Sequence, residues 1–149
     1  MGKMKIHELG HVVLYVTNLE LVGDFYRDTL GFREVVRQWP IAAFSSGRTH
    51  HEMLLIEVGG VAEHSARPTP GLYHIGFKVA DSHEELRAVY KELKEKKVPI
   101  LGTTDHGVTH SIYILDPDGN ELELYADVSD EWKRNPAAIG EEAKPLNLE

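Results

Sequence analysis

The sequence predicts an α+β fold: two tandem βαβββ modules forming a cup-shaped mixed sheet, with the helices on the outside. Three observations carry this expectation. LGHVVLYVTN (9–18) and LYHIGFKVAD (72–81) repeat one pattern, a run of alternating apolar residues with a histidine at its third position. Each run leads into a segment whose apolar residues recur at helical spacing. Each such segment is followed by further strand-like runs, and Gly59-Gly60 with the two-proline stretch VAEHSARPTP (61–70) separates the halves.

The elements follow in chain order. Module one covers about residues 7–60. Val12, Leu14 and Val16 make the apolar side of its first strand. A helix is expected from Leu19 to Leu30, with Leu21 or Val22, Phe25, Tyr26 and Leu30 on one face and Gly31 where a C-terminal stop belongs. Strands are expected over Arg33–Trp39, Ile41–Ser46 and His51–Val58, with Ser46-Gly47 as a turn. After the linker 61–70, module two covers 71–126. Its first strand turns Ile75, Phe77 and Val79 towards its helix. Ser82 with Glu85 reads as a capping box for a helix running to about Lys96. Leu86, Val89, Tyr90 and Leu93 form the apolar stripe, and Lys94, Lys96 and Lys97 sit where the helix dipole favours cations. Strands are expected over Val98–Leu101, Ser111–Leu115 and Glu121–Ala126, the last two joined by the turn DPDGN (116–120). The remainder, 127–149, is polar and turn-rich, and is expected to be a surface arm ordered around Trp132 at most.

Composition narrows the function. A chain of 149 residues with 42% hydrophobic residues suits one compact domain, or two small halves sharing a core. A net charge of -8 disfavours a nucleic-acid partner, which needs a basic face. The absence of cysteine excludes disulfides, thiolate metal sites and a cysteine nucleophile. No apolar run approaches the roughly 20 residues that span a bilayer. The first ten residues, MGKMKIHELG, lack the apolar centre of a signal peptide, so a cytoplasmic location without a membrane partner is expected. Nine histidines are many for this length, and their placement is informative.

Strand parity sorts the polar residues. His11 and His74 lie opposite the apolar sides of their strands. In ELELYAD (121–127), Leu122 and Leu124 face the helix, which sends Glu121 and Glu123 to the histidine side. Ile112 and Ile114 send Tyr113 the same way. In HHEMLLIEV (50–58), Leu54, Ile56 and Val58 are expected to face the helix, leaving His51, Met53 and Leu55 to the cup. The expected cup lining is Phe44, Met53, Leu55 and Tyr113. Two imidazoles and a carboxylate on one concave face have the composition of a divalent metal site, suited to iron(II), manganese, zinc, nickel or cobalt. A set of two histidines and one carboxylate with open positions is the pattern of oxygen-activating non-haem iron.

With these motifs the chain resembles the vicinal oxygen chelate superfamily, which includes glyoxalase I, bleomycin-resistance proteins, fosfomycin-resistance enzymes, epimerases and type I extradiol dioxygenases. The resemblance spans about residues 7–126. It is carried by HVVLYVTNLELVGDFYRDTLGF (11–32), HHEMLLIEV (50–58), GLYHIGFKV (71–79) and DHGVTHSIYILDPDGNELELY (105–125). It implies His11, His74 and Glu123 as metal ligands. The extradiol, catechol 2,3-dioxygenase-like branch is the most similar, through His50-His51, Asp105-His106-Gly107 and Tyr113, which stands ten residues before Glu123. Glyoxalase-like members add a carboxylate ligand from the strand corresponding to 51–58, and here Met53 is expected in that place. The implied function is an iron(II)-dependent ring-cleaving dioxygenase acting on a catechol-like aromatic diol with O2. In that function His51 serves as acid–base residue, His106 as the second choice, and Tyr113 hydrogen-bonds the substrate oxygen. The alternatives are a glyoxalase-like isomerase or a thiol transferase using a Lewis-acid metal, and a non-catalytic small-molecule-binding resistance protein. Exposed sheet edges and the arm lead us to expect a homodimer. The sequence leaves open whether the ligands come from one chain or from halves swapped between two.

Overall fold

The strand–helix repeat folds twice, and each copy builds its own mixed sheet. The computed structural model describes residues 2–149. Two units are distinguished, one ending at Glu63 and the other running from His64 to Glu149. No described helix is long and apolar enough to cross a membrane.

The first unit contains β1 (Val12–Val16), α1 (Leu19–Asp24), β2 (Arg33–Gln38), β3 (Ile41–Ser45) and β4 (Met53–Glu57). Its sheet has the order β1-β4-β3-β2, with β1 parallel to β4 and the other pairs antiparallel. Asn18 caps α1 by accepting the Leu21 N–H at 2.8 Å. The expected helix 19–30 is present but changes character, continuing from Phe25 to Thr29 as a π-helical turn. Tyr26 on that turn is fully buried, 6.2 Å from the Phe44 ring and 6.3 Å from Phe32. Gly31, at φ +79°, supplies the left-handed residue that ends the helix.

One expected orientation in this unit is reversed. Register pairs Met53 with Val12 and Leu55 with Leu14, and directly opposite residues share a face. Met53 and Leu55 are wholly buried, Met53 is paired with the buried Phe44, and Glu57 accepts the first N–H of α1, from Leu19, at 2.8 Å. Phe44, Met53 and Leu55 are therefore helix-side core rather than cup lining, and Leu54 and Ile56 take the opposite face. Alternation could not fix this parity, because MLLI is apolar on both sides and offers no contrast.

The second unit contains β5 (His74–Ala80), α2 (His83–Glu95), β6 (Ile100–Asp105), β7 (Thr109–Leu115), β8 (Glu121–Asp127), α3 (Glu131–Arg134) and β9 (Lys144–Pro145). The strand order is β5-β8-β7-β6-β9, with β5 parallel to β8. Ser82 caps α2 by accepting the Glu85 N–H at 3.2 Å. The Glu85 carboxylate returns to Asp81 N–H at 2.8 Å, one residue earlier than a capping box requires. β6 starts later than expected because Val98 N–H still closes the helix end on the Leu93 carbonyl, after Lys97 at φ +56°. In the 116–120 turn, Asp116 Oδ1 accepts the N–H groups of Asp118 at 3.0 Å and Asn120 at 2.9 Å.

The end of β5 and the C-terminal arm also differ from expectation. Val79 does not join Ile75 and Phe77 on the helix side: the β5–β8 register slips between Lys78 and Ala80, so Ala80 is buried instead. The arm 127–149 is also more than a surface tail. A 3₁₀ turn over Pro136–Gly140 buries Ala138, β9 pairs with the edge of β6, and Leu148 is 2% exposed. The segment hides its packing role because its few apolar residues show neither period two nor period 3.6.

Candidate metal centre

The second unit gathers four of the expected site residues on the face of its sheet away from α2. Parallel pairing sets His74 opposite Glu121 and Gly76 opposite Glu123, and antiparallel pairing sets Tyr113 opposite Glu123. Leu122, Leu124 and Ala126 anchor β8 in the core, so the intervening carboxylates project from the other face. His74 lies between two carboxylates: its Nε2 is 3.1 Å from Glu123 Oε2, and its Nδ1 is 3.1 Å from Glu121 Oε2. Glu123 Oε1 accepts from Ser111 Oγ at 2.6 Å and from Tyr113 Oη at 3.3 Å. His106 Nε2 lies 2.8 Å from Tyr113 Oη and 4.0 Å from Glu123 Oε1.

The loop carrying His106 is shaped by its neighbours. Gly107 adopts φ +81°, which an L side chain disfavours, and its N–H donates to Asp105 Oδ1 at 2.7 Å. His106 N–H donates to the Thr109 carbonyl at 2.9 Å, closing the hairpin and turning the imidazole towards Tyr113. Burial, followed by the Glu123 charge, pushes the Tyr113 phenol up to about 12, so it remains a proton donor at neutral pH.

The donor set fits a divalent metal. An imidazole nitrogen and a carboxylate oxygen suit iron(II), manganese, zinc, nickel and cobalt alike. Their 3.1 Å separation is that of two donors each about 2.0–2.2 Å from one ion and near a right angle apart. The side chains of His74 and Glu123 remain 27% and 17% exposed, which keeps the pair reachable from solvent. Among the described residues, no three His, Cys, Asp or Glu side chains are arranged so that together they could hold a metal ion; His74 and Glu123 form the assembled pair.

The first unit brings together the other expected residues. His11 immediately precedes β1, held by Arg48, which donates to the Gly10 carbonyl at 2.9 Å. Its ring centroid is 4.5 Å from His51 and 6.5 Å from His50. His51 Nδ1 and His50 Nδ1 lie 2.6 Å apart. Burial, with His11 and His50 adding, holds His51 below the ordinary imidazole range, while Glu52 opposes the shift. Glu52 and Glu57 are bound locally, the first to Ser46 N–H at 2.9 Å and the second to Leu19 N–H and Trp39 Nε1.

Sequence reasoning missed two members of the site. Ser111 is wholly buried and shares the parity of Tyr113, which was the available signal. Glu121 was placed on the correct face, but its contact with His74 depends on parallel register, which a strand pattern does not specify.

Comparison with known proteins agrees with this architecture. Residues 8–124 match the model of the Glyoxalase/Bleomycin resistance protein/Dioxygenase superfamily. The chain belongs to that superfamily. It is 31% identical over 134 residues to a catechol-2,3-dioxygenase from Bacillus subtilis, an alignment covering 87% of this chain and 46% of the relative. The chain thus spans about half the length of that relative. It is 30% identical to the metallothiol transferase FosB from Staphylococcus haemolyticus, over 80% of this chain and 84% of the relative. In fold it is similar to a lactoylglutathione lyase from Agrobacterium tumefaciens, with a TM-score of 0.62 at 21% identity, over 83% of this chain and 96% of that one.

Proposed function

We propose that the chain is a metal-dependent, extradiol-type ring-cleaving dioxygenase acting on a catechol-like aromatic diol. The observation that carries this reading is the 3.1 Å approach of His74 Nε2 to Glu123 Oε2, with the Tyr113 phenol and the His106 imidazole at the same carboxylate. Similarity to a catechol-2,3-dioxygenase supports the reaction class. His11 is proposed as third ligand, since it holds in the first repeat the position that His74 holds in the second. Iron(II) is the proposed metal; when bound it would supply the Lewis acidity and one-electron chemistry that let a diol react with dioxygen.

The protein's own residues bind the substrate and move its protons. Tyr113 stays a phenol, and its one O–H turns from Glu123 Oε1 to a substrate oxygen when substrate binds. His51, the proposed base, takes a catechol proton at the ring nitrogen that does not face His50 and later returns it to the leaving oxygen. His106 Nε2 holds the Tyr113 oxygen in place and is the second candidate for that proton transfer. The ring bond next to the diol breaks, and both atoms of O2 enter the product, so no external reductant is required. Anaerobic loading with iron(II), then oxygen and a panel of catechols, should give a yellow ring-opened product with one O2 consumed per product. Stoichiometric iron binding without turnover of any catechol would refute the reaction class.

The second reading is a thiol transferase with a Lewis-acid metal. Its support is the match to FosB over 84% of that relative's length. It predicts thiol consumption with manganese or zinc bound and no dependence on oxygen.

A further inference from the structure

His74 is held from both sides, and the two carboxylates that hold it differ in their surroundings. Glu123 is itself oriented, by Ser111 Oγ at 2.6 Å and Tyr113 Oη at 3.3 Å, both on Oε1. Its other oxygen, Oε2, is the one directed at His74. Glu121 stands directly across the parallel pair from His74 and meets the other nitrogen, Nδ1, at 3.1 Å. We propose that Glu121 is a positioning residue: its carboxylate accepts the Nδ1–H of His74, fixing the tautomer and ring angle so that Nε2 is the nitrogen offered to a metal. This rests on the reading of His74 and Glu123 as metal ligands.

A neutral imidazole carries one ring hydrogen, and the hydrogen bond at one nitrogen decides which nitrogen keeps a lone pair. A carboxylate at Nδ1 also makes Nε2 a stronger donor, and losing such a partner typically weakens metal binding by about 10–100-fold. The Glu121 side chain is 20% exposed, so its bond to His74 is partly shielded from water. Gly76, the β5 residue opposite Glu123, adds no side chain to this face; a Cβ there would lie 3.7 Å from Glu123 Oε2, in ordinary contact.

The test uses zinc(II) as probe, with affinity measured by chelator competition and the zinc-loaded protein followed by 15N NMR of the imidazoles. Glu123→Ala should abolish stoichiometric binding. Glu121→Ala should weaken it by about 10–100-fold. Glu121→Gln, whose amide oxygen still accepts from Nδ1–H, should recover most of that loss. The His74 Nδ1–H signal should be protected from exchange in wild type and in Glu121→Gln, and lost in Glu121→Ala. The Gln variant keeps the side chain's shape, so it decides the matter if the Ala variant folds poorly. Affinity of Glu121→Ala equal to wild type, or a reversed ranking in which Glu121→Ala abolishes binding and Glu123→Ala only weakens it, overturns the inference and leaves the metal site standing. A wild-type protein that binds no zinc overturns the metal site, and the inference with it.

Discussion

Truncating Leu148 to alanine should cost about 2–3 kcal/mol, the lower part of the range for buried leucine truncations. The side chain is 2% exposed, and the backbone around it is pinned on both sides. Thr103 Oγ1 donates to the Leu146 carbonyl at 2.6 Å, and Lys144 and Pro145 pair with Asp105 and Thr104 on β6. On the far side, Glu149 accepts from Tyr90 Oη and Lys94 Nζ, both at 2.9 Å, and Arg87 donates to its carbonyl. These anchors fix the backbone of the arm, so only neighbouring side chains can move into the cavity. That side-chain relaxation recovers part of the loss and places the value in the lower part of the range. The exposed Lys94–Glu149 ion pair adds little of its own. For 149 residues, an unfolding entropy near 2.1 cal/mol/K per residue converts the loss to a Tm drop of about 6–10 °C. Circular dichroism melts and urea titrations at constant slope measure it. A Tm within about 1 °C of wild type would mean a loss of the size ordinary for surface substitutions, and would refute the packing role of the arm.

Other outcomes test the site and the sheet behind it. Ser111→Ala removes the 2.6 Å bond that orients Glu123 and should weaken zinc or iron(II) binding by about tenfold with the fold intact; unchanged affinity would show that Ser111 is mere packing. Tyr113→Phe should lower catechol turnover by about a hundredfold at unchanged metal content, because its phenol, pushed up to about 12, is the donor at neutral pH. His110 sits on the helix side of the sheet, Nδ1 3.0 Å from His83 Nδ1. Burial lowers its pKa, with Asp105 opposing and His83 adding. As pH falls through the unfolded value near 6.5, the unfolded chain takes up a proton that the folded chain refuses, so stability present above that pH is lost below it. His110→Gln should therefore flatten the urea midpoint between pH 7.5 and 5.5, where this group's slope cannot exceed about 1.4 kcal/mol per pH unit. An unchanged profile would assign the pH dependence elsewhere.

The extent to which this architecture can be read from sequence depends on contrast between faces. β7 and β8 alternate cleanly, so Ile112, Ile114, Leu122 and Leu124 locate the core, and Tyr113 and Glu123 fall on the site face as expected. Ser82 marks the head of α2 in the sequence; Asn18 caps α1 in the same way, a cap that sequence reasoning missed. Long-range facts were not readable. The pairing of β9 with β6, the slip at Val79 and the contact of Glu121 with His74 depend on which strands become neighbours and in what register. Such information resides in the packed chain and has no local sequence signature.

The reversed parity of β4 has the sharpest consequence for function. A carboxylate ligand contributed by this strand would have to stand where side chains leave the helix-side core. With Met53 and Leu55 buried beside Phe44, those places are 54 and 56, occupied by Leu54 and Ile56. The two substitutions Met53→Glu and Leu54→Glu separate the alternatives. Met53→Glu inserts a carboxylate into a fully buried apolar site and should cost more than about 4 kcal/mol, or force the group to fold protonated. Leu54 is half-buried on the opposite face, and its replacement by glutamate should cost only about 1 kcal/mol. Urea denaturation of both variants decides it. A stable Met53→Glu protein beside an unfolded Leu54→Glu protein would shift the register of β4 by one residue. It would also restore position 53 as the place where a further carboxylate ligand belongs.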